Sequence, residues 1–196
     1  MRKLCVYCGS SPGRLPEYLT ASRALAHALH ERGISLVYGG ASVGLMGGLA
    51  DTLLALGGEV IGVMPQALVD KEVSHSGLTE LRVVASMHER KSLMAELSDG
   101  FIALPGGYGT LEELFEVVTW TQLGYHNKPC ALLNIEGYFD HLLRFLDHTV
   151  EERFVKPIHG EMVLVNSNPA ALLDAMASYE PPATDKWMKP YESSES

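Results

Sequence analysis

Short apolar runs that do not alternate with polar residues, each stopped by glycine and followed by a helical pattern, constrain this chain more than any other feature. Leu4 to Tyr7 is the first run, broken by Gly9-Ser10-Ser11-Pro12-Gly13. A helical pattern follows from about Leu15 to Arg32 and ends at Gly33, where a left-handed cap is cheapest for glycine. Ile34 to Tyr38 is the next run, stopped by Gly39-Gly40, and Leu45 to Leu56 the next helix, closed by Gly57-Gly58. Val60 to Met64 ends at Pro65, Leu81 to Val84 reads as a short strand, and Met87 to Leu97 as a helix. Phe101 to Leu104 runs into Pro105-Gly106-Gly107, followed by a helix over Leu111 to Leu123 and a strand over Cys130 to Ile135. Helices over Tyr138 to Glu152 and Pro169 to Ser178 flank a last strand, Met162 to Val165, and the polar stretch Gln66 to Gly77 is left unassigned. Strands apolar on both sides and separated by helices predict an α/β fold, a parallel sheet covered by helices on both faces.

The chain has 196 residues, enough for one domain with a sizeable core, expected over 1–180 with a flexible Pro-, Ser- and Glu-rich tail over 181–196. A formal net charge of -9 argues against binding DNA, RNA or anionic lipid, but not against one small phosphate gripped by backbone amides. No apolar run approaches the roughly 20 residues of a membrane span. The start, Met1-Arg2-Lys3-Leu4-Cys5-Val6-Tyr7-Cys8-Gly9, breaks too early for a signal peptide. Three cysteines make no disulfide framework, which points to a reducing, cytoplasmic setting.

In parallel sheets ligands bind beyond the carboxyl ends of the strands, and there the glycine loops fall. They are Gly9-Ser10-Ser11, Gly39-Gly40-Ala41-Ser42-Val43-Gly44 and Pro105-Gly106-Gly107-Tyr108-Gly109-Thr110. The second and third run straight into helices, whose first amides and partial positive charge suit a phosphate. Each loop alone reads more readily as a tight turn than as a phosphate site; three at one sheet edge point to a ligand. A dinucleotide site is disfavoured, because Gly9-Ser10-Ser11-Pro12-Gly13 misses the G-x-G-x-x-G spacing and no acid follows Tyr38. No G-x-x-x-x-G-K-[ST] run exists, which excludes a P-loop.

Two charged residues stand out. Arg90 falls in the middle of the apolar stripe Met87, Leu93, Met94 and Leu97 at about 100° per residue. It must snorkel, pair with an acid, or meet an anionic ligand. Thr110-Leu111-Glu112-Glu113 matches a capping box, with Thr110 as cap and Glu113 at the third helical position. Glu113 also stands in the first turn of a helix whose start could hold phosphate, close to any bound sugar. Glu112 and Glu116, four apart, share another face, suited to solvent or to pairing.

Other signals are weaker. The thiols of Cys5 and Cys8 lie on one strand and point to opposite faces, so the C-x-x-C is no metal or redox site. None of the eight histidines has ligand spacing, and no G-x-S-x-G elbow is present. Trp120 and Leu123 with Leu114 suit the core or a subunit interface.

The run Pro105-Gly106-Gly107-Tyr108-Gly109-Thr110-Leu111-Glu112-Glu113 resembles the PGGxGTxxE signature of the LOG (LONELY GUY) family, cytokinin riboside 5′-monophosphate phosphoribohydrolases once labelled lysine decarboxylase-like. Tyr38-Gly39-Gly40 with Gly44-Leu45-Met46-Gly47, and Met87-His88-Glu89-Arg90-Lys91, are further matches, and the resemblance covers roughly residues 3 to 178. It implies a modified Rossmann-like fold, a homodimer, and hydrolysis of plain or N6-modified AMP to free base and ribose 5-phosphate without metal or cofactor. It also implies Arg90 and Glu113 as the catalytic pair. Substrate contacts would come from Glu72, Lys91 and the Gly107 to Glu112 stretch, beside Gly9, Ser10, Gly39, Gly40, Gly44, Met46, Pro105 and Gly106 of the matching loops. A non-catalytic AMP sensor would keep the glycine loops but have no need of both Arg90 and Glu113. A decarboxylase would need a lysine bonded to pyridoxal phosphate, and no lysine stands out for that.

Overall fold

The apolar runs become seven parallel strands in a computed structural model that describes residues 1–71 and 74–182. They are β1 (Lys3–Tyr7), β2 (Ser35–Tyr38), β3 (Val60–Pro65), β4 (Glu80–Val84), β5 (Phe101–Ala103), β6 (Cys130–Leu133) and β7 (Val163–Asn166). Their order across the sheet is β4-β3-β2-β1-β5-β6-β7. The chain walks outward from β1 to β4, then returns to the other side of β1 and walks outward again. β1 and β5 are therefore neighbours whose following loops diverge, with Cys5 beside Phe101 and Tyr7 beside Ala103. A crevice at such a switch point is where an open α/β sheet binds its ligand.

The helices are α1 (Pro16–Glu31), α2 (Gly44–Ala55), α3 (Gln66–Val69), α4 (Met87–Leu97), α5 (Tyr108–Gln122), α6 (Asp140–Glu151), α7 (Pro157–Gly160) and α8 (Pro169–Ala177). Successive strand side chains feed two cores, one on each face of the sheet. On one face Leu4, Val6, Leu36, Tyr38 and Ile102 meet Leu25 and Leu29 of α1, Leu45, Leu49 and Leu53 of α2, and Leu172 of α8. On the other Cys5, Tyr7, Val37, Ile61, Phe101 and Ala103 meet Met94 of α4, Leu114 and Val117 of α5, and Phe139. The thiols of Cys5 and Cys8 fall in opposite cores, as the strand period requires. Each buried leucine contributes about 2 kcal/mol. Trp120 packs against the second core, whereas Leu123 is half exposed.

Two helix starts differ from expectation, and one unassigned stretch gains structure. The helix expected from Leu111 starts at Tyr108, because Gly107 takes the extended cap position. The helix expected from Tyr138 starts at Asp140, after a 3-10 turn in which Glu136 and Gly137 both have positive φ and interrupt the helical path. The unassigned stretch holds α3 and a bridge from Ser74 to Ala41. Among the described residues no helix is long and apolar enough to cross a membrane. The expected flexible tail, from residue 183 onward, and Glu72 lie outside the described residues.

Candidate active site

The loops after β1, β2 and β5 converge because their backbones touch. Gly9 N–H donates to Pro105 O at 3.0 Å, and Leu45 N–H at the start of α2 donates to Gly9 O at 3.1 Å. Gly44 has φ +61°, and a side chain there would strike the Ser10 backbone, so the crossing of the first two loops requires glycine. The start of α2 is thus closed by protein. The start of α5 is different: its cap, Gly107, has no side chain, and the amides of Tyr108, Gly109 and Thr110 open on a cleft.

That cleft has a volume of about 360 Å³, within the range of small-molecule sites. Its walls are Cys8, Gly9, Ser10 and Met46 on one side, Met87 and Arg90 on another, and Gly107 to Thr110 with Glu112 and Glu113 on the third. A second cavity of about 320 Å³ adjoins it across Gly9, Ser10 and Gly107, with Tyr18, Pro105, Gly106 and Tyr138 in its wall. Of the expected site residues, the fold brings Gly9, Ser10, Met46, Arg90, Gly107, Tyr108, Gly109, Thr110, Glu112 and Glu113 to one place. Pro105 and Gly106 face the adjoining cavity. Gly39, Gly40 and Gly44 lie behind the cleft, where the carbonyls of Gly39 and Gly40 accept from Arg90 and from His75 N–H. Leu111 packs against the second core.

Among the described residues Arg90 makes no ion pair, and its guanidinium turns to the backbone. Its Nε donates to Val63 O at 3.0 Å and its Nη2 to Gly39 O at 3.1 Å, so carbonyls at the ends of β2 and β3 fix the guanidinium. A Cβ on Gly39 would displace Nη2 from its bond to the Gly39 carbonyl. The planar fork keeps further N–H groups for the cleft it lines.

The capping box expected at Thr110 is not there. Thr110 is the third residue of α5, 4% exposed, and Glu113 lies deeper, in the second turn. Released from capping, the Glu113 carboxyl faces the cleft. Burial pushes its pKa up to about 7, against the opposing pull of Arg90. Glu113 in turn contributes to raising the pKa values of Cys5, Tyr7 and Cys8, all on or beside β1, where burial is the main cause. Cys8 therefore lines the cleft as a neutral thiol.

Lys91 turns away from the cleft wall. Its Nζ donates to Glu112 Oε1 at 2.6 Å and to Glu116 Oε1 at 3.0 Å, so the face shared by Glu112 and Glu116 is a pairing face. Two contacts have no counterpart in the sequence. Glu116 sits 25 residues from Lys91, so their pairing has no local signature. Tyr138 donates its O–H to Gly106 O at 2.6 Å and pins the signature loop from above. Its only local sign is the glycine before it, one of the two left-handed residues that re-aim the chain.

An open helix N-terminus, a fixed guanidinium and a carboxyl poised near neutrality together suit a phosphorylated ligand that gains positive charge during reaction.

Known proteins agree with this architecture. A family model described as "Possible lysine decarboxylase" matches residues 46–176. The probable cytokinin riboside 5′-monophosphate phosphoribohydrolase LOGL5 of Oryza sativa subsp. japonica is 50% identical over 184 residues, 94% of this chain and 75% of that protein. The cytokinin riboside 5′-monophosphate phosphoribohydrolase LOG7 of Arabidopsis thaliana is 47% identical over 180 residues, 92% of this chain and 83% of that protein. Among solved structures, the molybdenum cofactor binding protein of Rippkaea orientalis shares the fold, with a TM-score of 0.69 at 20% identity over 91% of this chain and 97% of that one. The extent of those plant matches, together with the PGGxGTxxE run at the open end of α5, places the chain in the LOG family of cytokinin riboside 5′-monophosphate phosphoribohydrolases.

Proposed function

We propose that this protein hydrolyses the N-glycosidic bond of plain or N6-modified adenosine 5′-monophosphate, releasing the free base and ribose 5-phosphate. The observation that carries the reading is the Glu113 carboxyl in one cleft with Arg90 and the open N-terminus of α5. Relatives 47–50% identical bear names that state this activity for cytokinin riboside monophosphates. The amides of Tyr108, Gly109 and Thr110 hold the 5′-phosphate and so fix the ribose. Gly9, Ser10, Met46 and Glu112 complete the walls around it. As the bond to the base lengthens, positive charge grows on the sugar ring. Ionised Glu113 stabilises that charge and orients the attacking water. Arg90 positions the nucleotide and favours the ionised form of Glu113.

Incubation of the purified protein with AMP, adenosine and isopentenyl-AMP, followed by chromatography for free base, tests this. Base release from the monophosphates but not from adenosine is expected. Wild-type turnover in Glu113→Gln, or none in the wild type, would overturn the reading.

A homodimer in a reducing, cytoplasmic setting fits the same picture. Cys5, Cys8 and Cys130 are all free and buried, and Phe145 of α6 and Phe154 stand 61% and 86% exposed. Light scattering on the purified protein gives the oligomeric state.

A further inference from the structure

The Lys91 ion pairs join the two helices that carry the proposed catalytic residues. Arg90 and Lys91 are consecutive on α4; Glu112, Glu113 and Glu116 lie within two turns of α5. The Lys91 ammonium reaches one residue before Glu113 and three residues after it, at 2.6 and 3.0 Å. The contact with Glu116 is the sheltered one: side-chain exposure is 17% for Lys91 and 23% for Glu116, against 56% for Glu112. A pair so placed orders two long side chains away from bulk water, where it is screened less than a surface pair.

We infer, on the footing of the function proposed above, that Lys91 and Glu116 form a positioning pair that locks α4 to α5 and so fixes the place of the Glu113 carboxylate in the cleft it shares with Arg90. Neither residue need touch substrate to do this. The pair also sets the charge environment of Glu113. From α4, Arg90 and Lys91 pull its pKa down; on its own helix, Glu112 and Glu116 push it up. From β1 and its end, Cys5, Tyr7 and Cys8 face it, held neutral mainly by burial. Lys91 stays charged, since its bond to Glu112 and then that to Glu116 raise its own pKa against desolvation.

This arrangement makes a signed demand. Removing Lys91 leaves two carboxylates uncompensated beside Glu113, whereas removing the Glu116 charge relieves it. The pH dependence of kcat, measured from about pH 5.5 to 9 for wild type, Lys91→Met and Glu116→Gln, should show its rise displaced upward in the first variant and downward in the second, by roughly 0.5 pH unit each. KM for AMP should change less than kcat in both. The charge-exchanged double variant, Lys91→Glu with Glu116→Lys, should recover about tenfold of the kcat lost in Lys91→Glu alone.

The inference is overturned if Lys91→Met raises KM with an unmoved pH midpoint while Glu116→Gln is silent, since that is the behaviour of a direct substrate contact. If Lys91→Met fails to fold, the nearly isosteric Glu116→Gln and the exchanged pair decide. An NMR titration of the Glu113 carboxyl in ligand-free protein reads the same two displacements without turnover. A protein that releases no base but shows the opposed shifts sinks the proposed function and keeps the pair; an active protein without the shifts does the reverse.

Discussion

Two runs of the same form, Ser86-x-x-Glu89 and Thr110-x-x-Glu113, stand near the starts of α4 and α5 and have opposite fates. In the first the pattern caps the helix. Ser86 Oγ accepts from Glu89 N–H at 3.1 Å, and Glu89 Oε2 accepts from Ala85 N–H at 2.8 Å. In the second the helix has begun three residues earlier, at a glycine cap with no side chain. Thr110 is swallowed by the core, and Glu113 is carried round into the cleft with its carboxyl held mostly protonated below neutral pH. A capping signature thus reports a helix start only when no freer residue precedes it. Where Gly106-Gly107 takes the turn instead, the helix end is left open on the cleft and its glutamate is turned into it.

The comparison breaks most visibly in turnover. Glu113→Gln should lose about 100- to 1,000-fold in kcat for base release from AMP, the range for removing one stabilising group at a developing charge. Glu89→Gln keeps the cap acceptor and should stay within a few-fold of wild type. Equal losses in the two variants would mean that both glutamates act through the fold.

The same pair separates in stability, with the opposite sign. The pKa of Glu113 is raised by burial from 4.5 to about 7, so the folded state holds a proton that the unfolded state has released. Stability contributed by this group is present below pH 4.5 and is lost as pH rises through about 7. Glu113→Gln cannot ionise, and at pH 8 it should be more stable than wild type by about 1–3 kcal/mol, with the gain gone at pH 4.5. Thermal melts of both proteins across that range measure it. A variant that is inactive yet more stable is the mark of a strained functional carboxyl. In the proposed reaction activity should instead rise through pH 7, because there the ionised form stabilises the charge on the sugar.

Arg90 offers a third way to sharpen the contrast, since its place depends on a glycine in another loop. A methyl group at Gly39 would occupy the position of Arg90 Nη2. Gly39→Ala should cost about 10- to 100-fold in kcat through displacement of the guanidinium. Unchanged kcat with a lowered melting temperature would show that Arg90 can settle elsewhere without harm.

What could be read in advance follows from range. Each apolar run between glycines reports its own burial, so the strands and most helices were legible within a few residues. Arg90 announced itself because an arginine in an apolar stripe conflicts with its neighbours. The start of α5 was not legible, because Gly107 and Thr110 are both acceptable caps and local chemistry does not rank them. Lys91 with Glu116, and Tyr138 with Gly106, were invisible for a different reason. Their partners lie 25 and 32 residues away, and only the folded sheet brings α4 to α5 and the 3-10 turn after β6 over the signature loop. The left-handed Glu136 that aims Tyr138 carries no sequence mark either, since φ of 51° is taken there by a residue that ordinarily avoids it.

The smallest effect tests the capped member of the comparison. Ser86→Ala removes the acceptor for Glu89 N–H and leaves the first turn of α4 frayed, a loss of about 1 kcal/mol. For a chain of this size that lowers the melting temperature by about 2–4 °C. Catalysis should fall much less than in Gly39→Ala, because Arg90 is held at its far end by Val63 O and Gly39 O, not by the helix start. A fall in kcat as large as that of Gly39→Ala would show that the cap, four residues before Arg90, governs the guanidinium after all. The two glutamate runs would then be parts of one device, their difference confined to the side of the cleft each one serves.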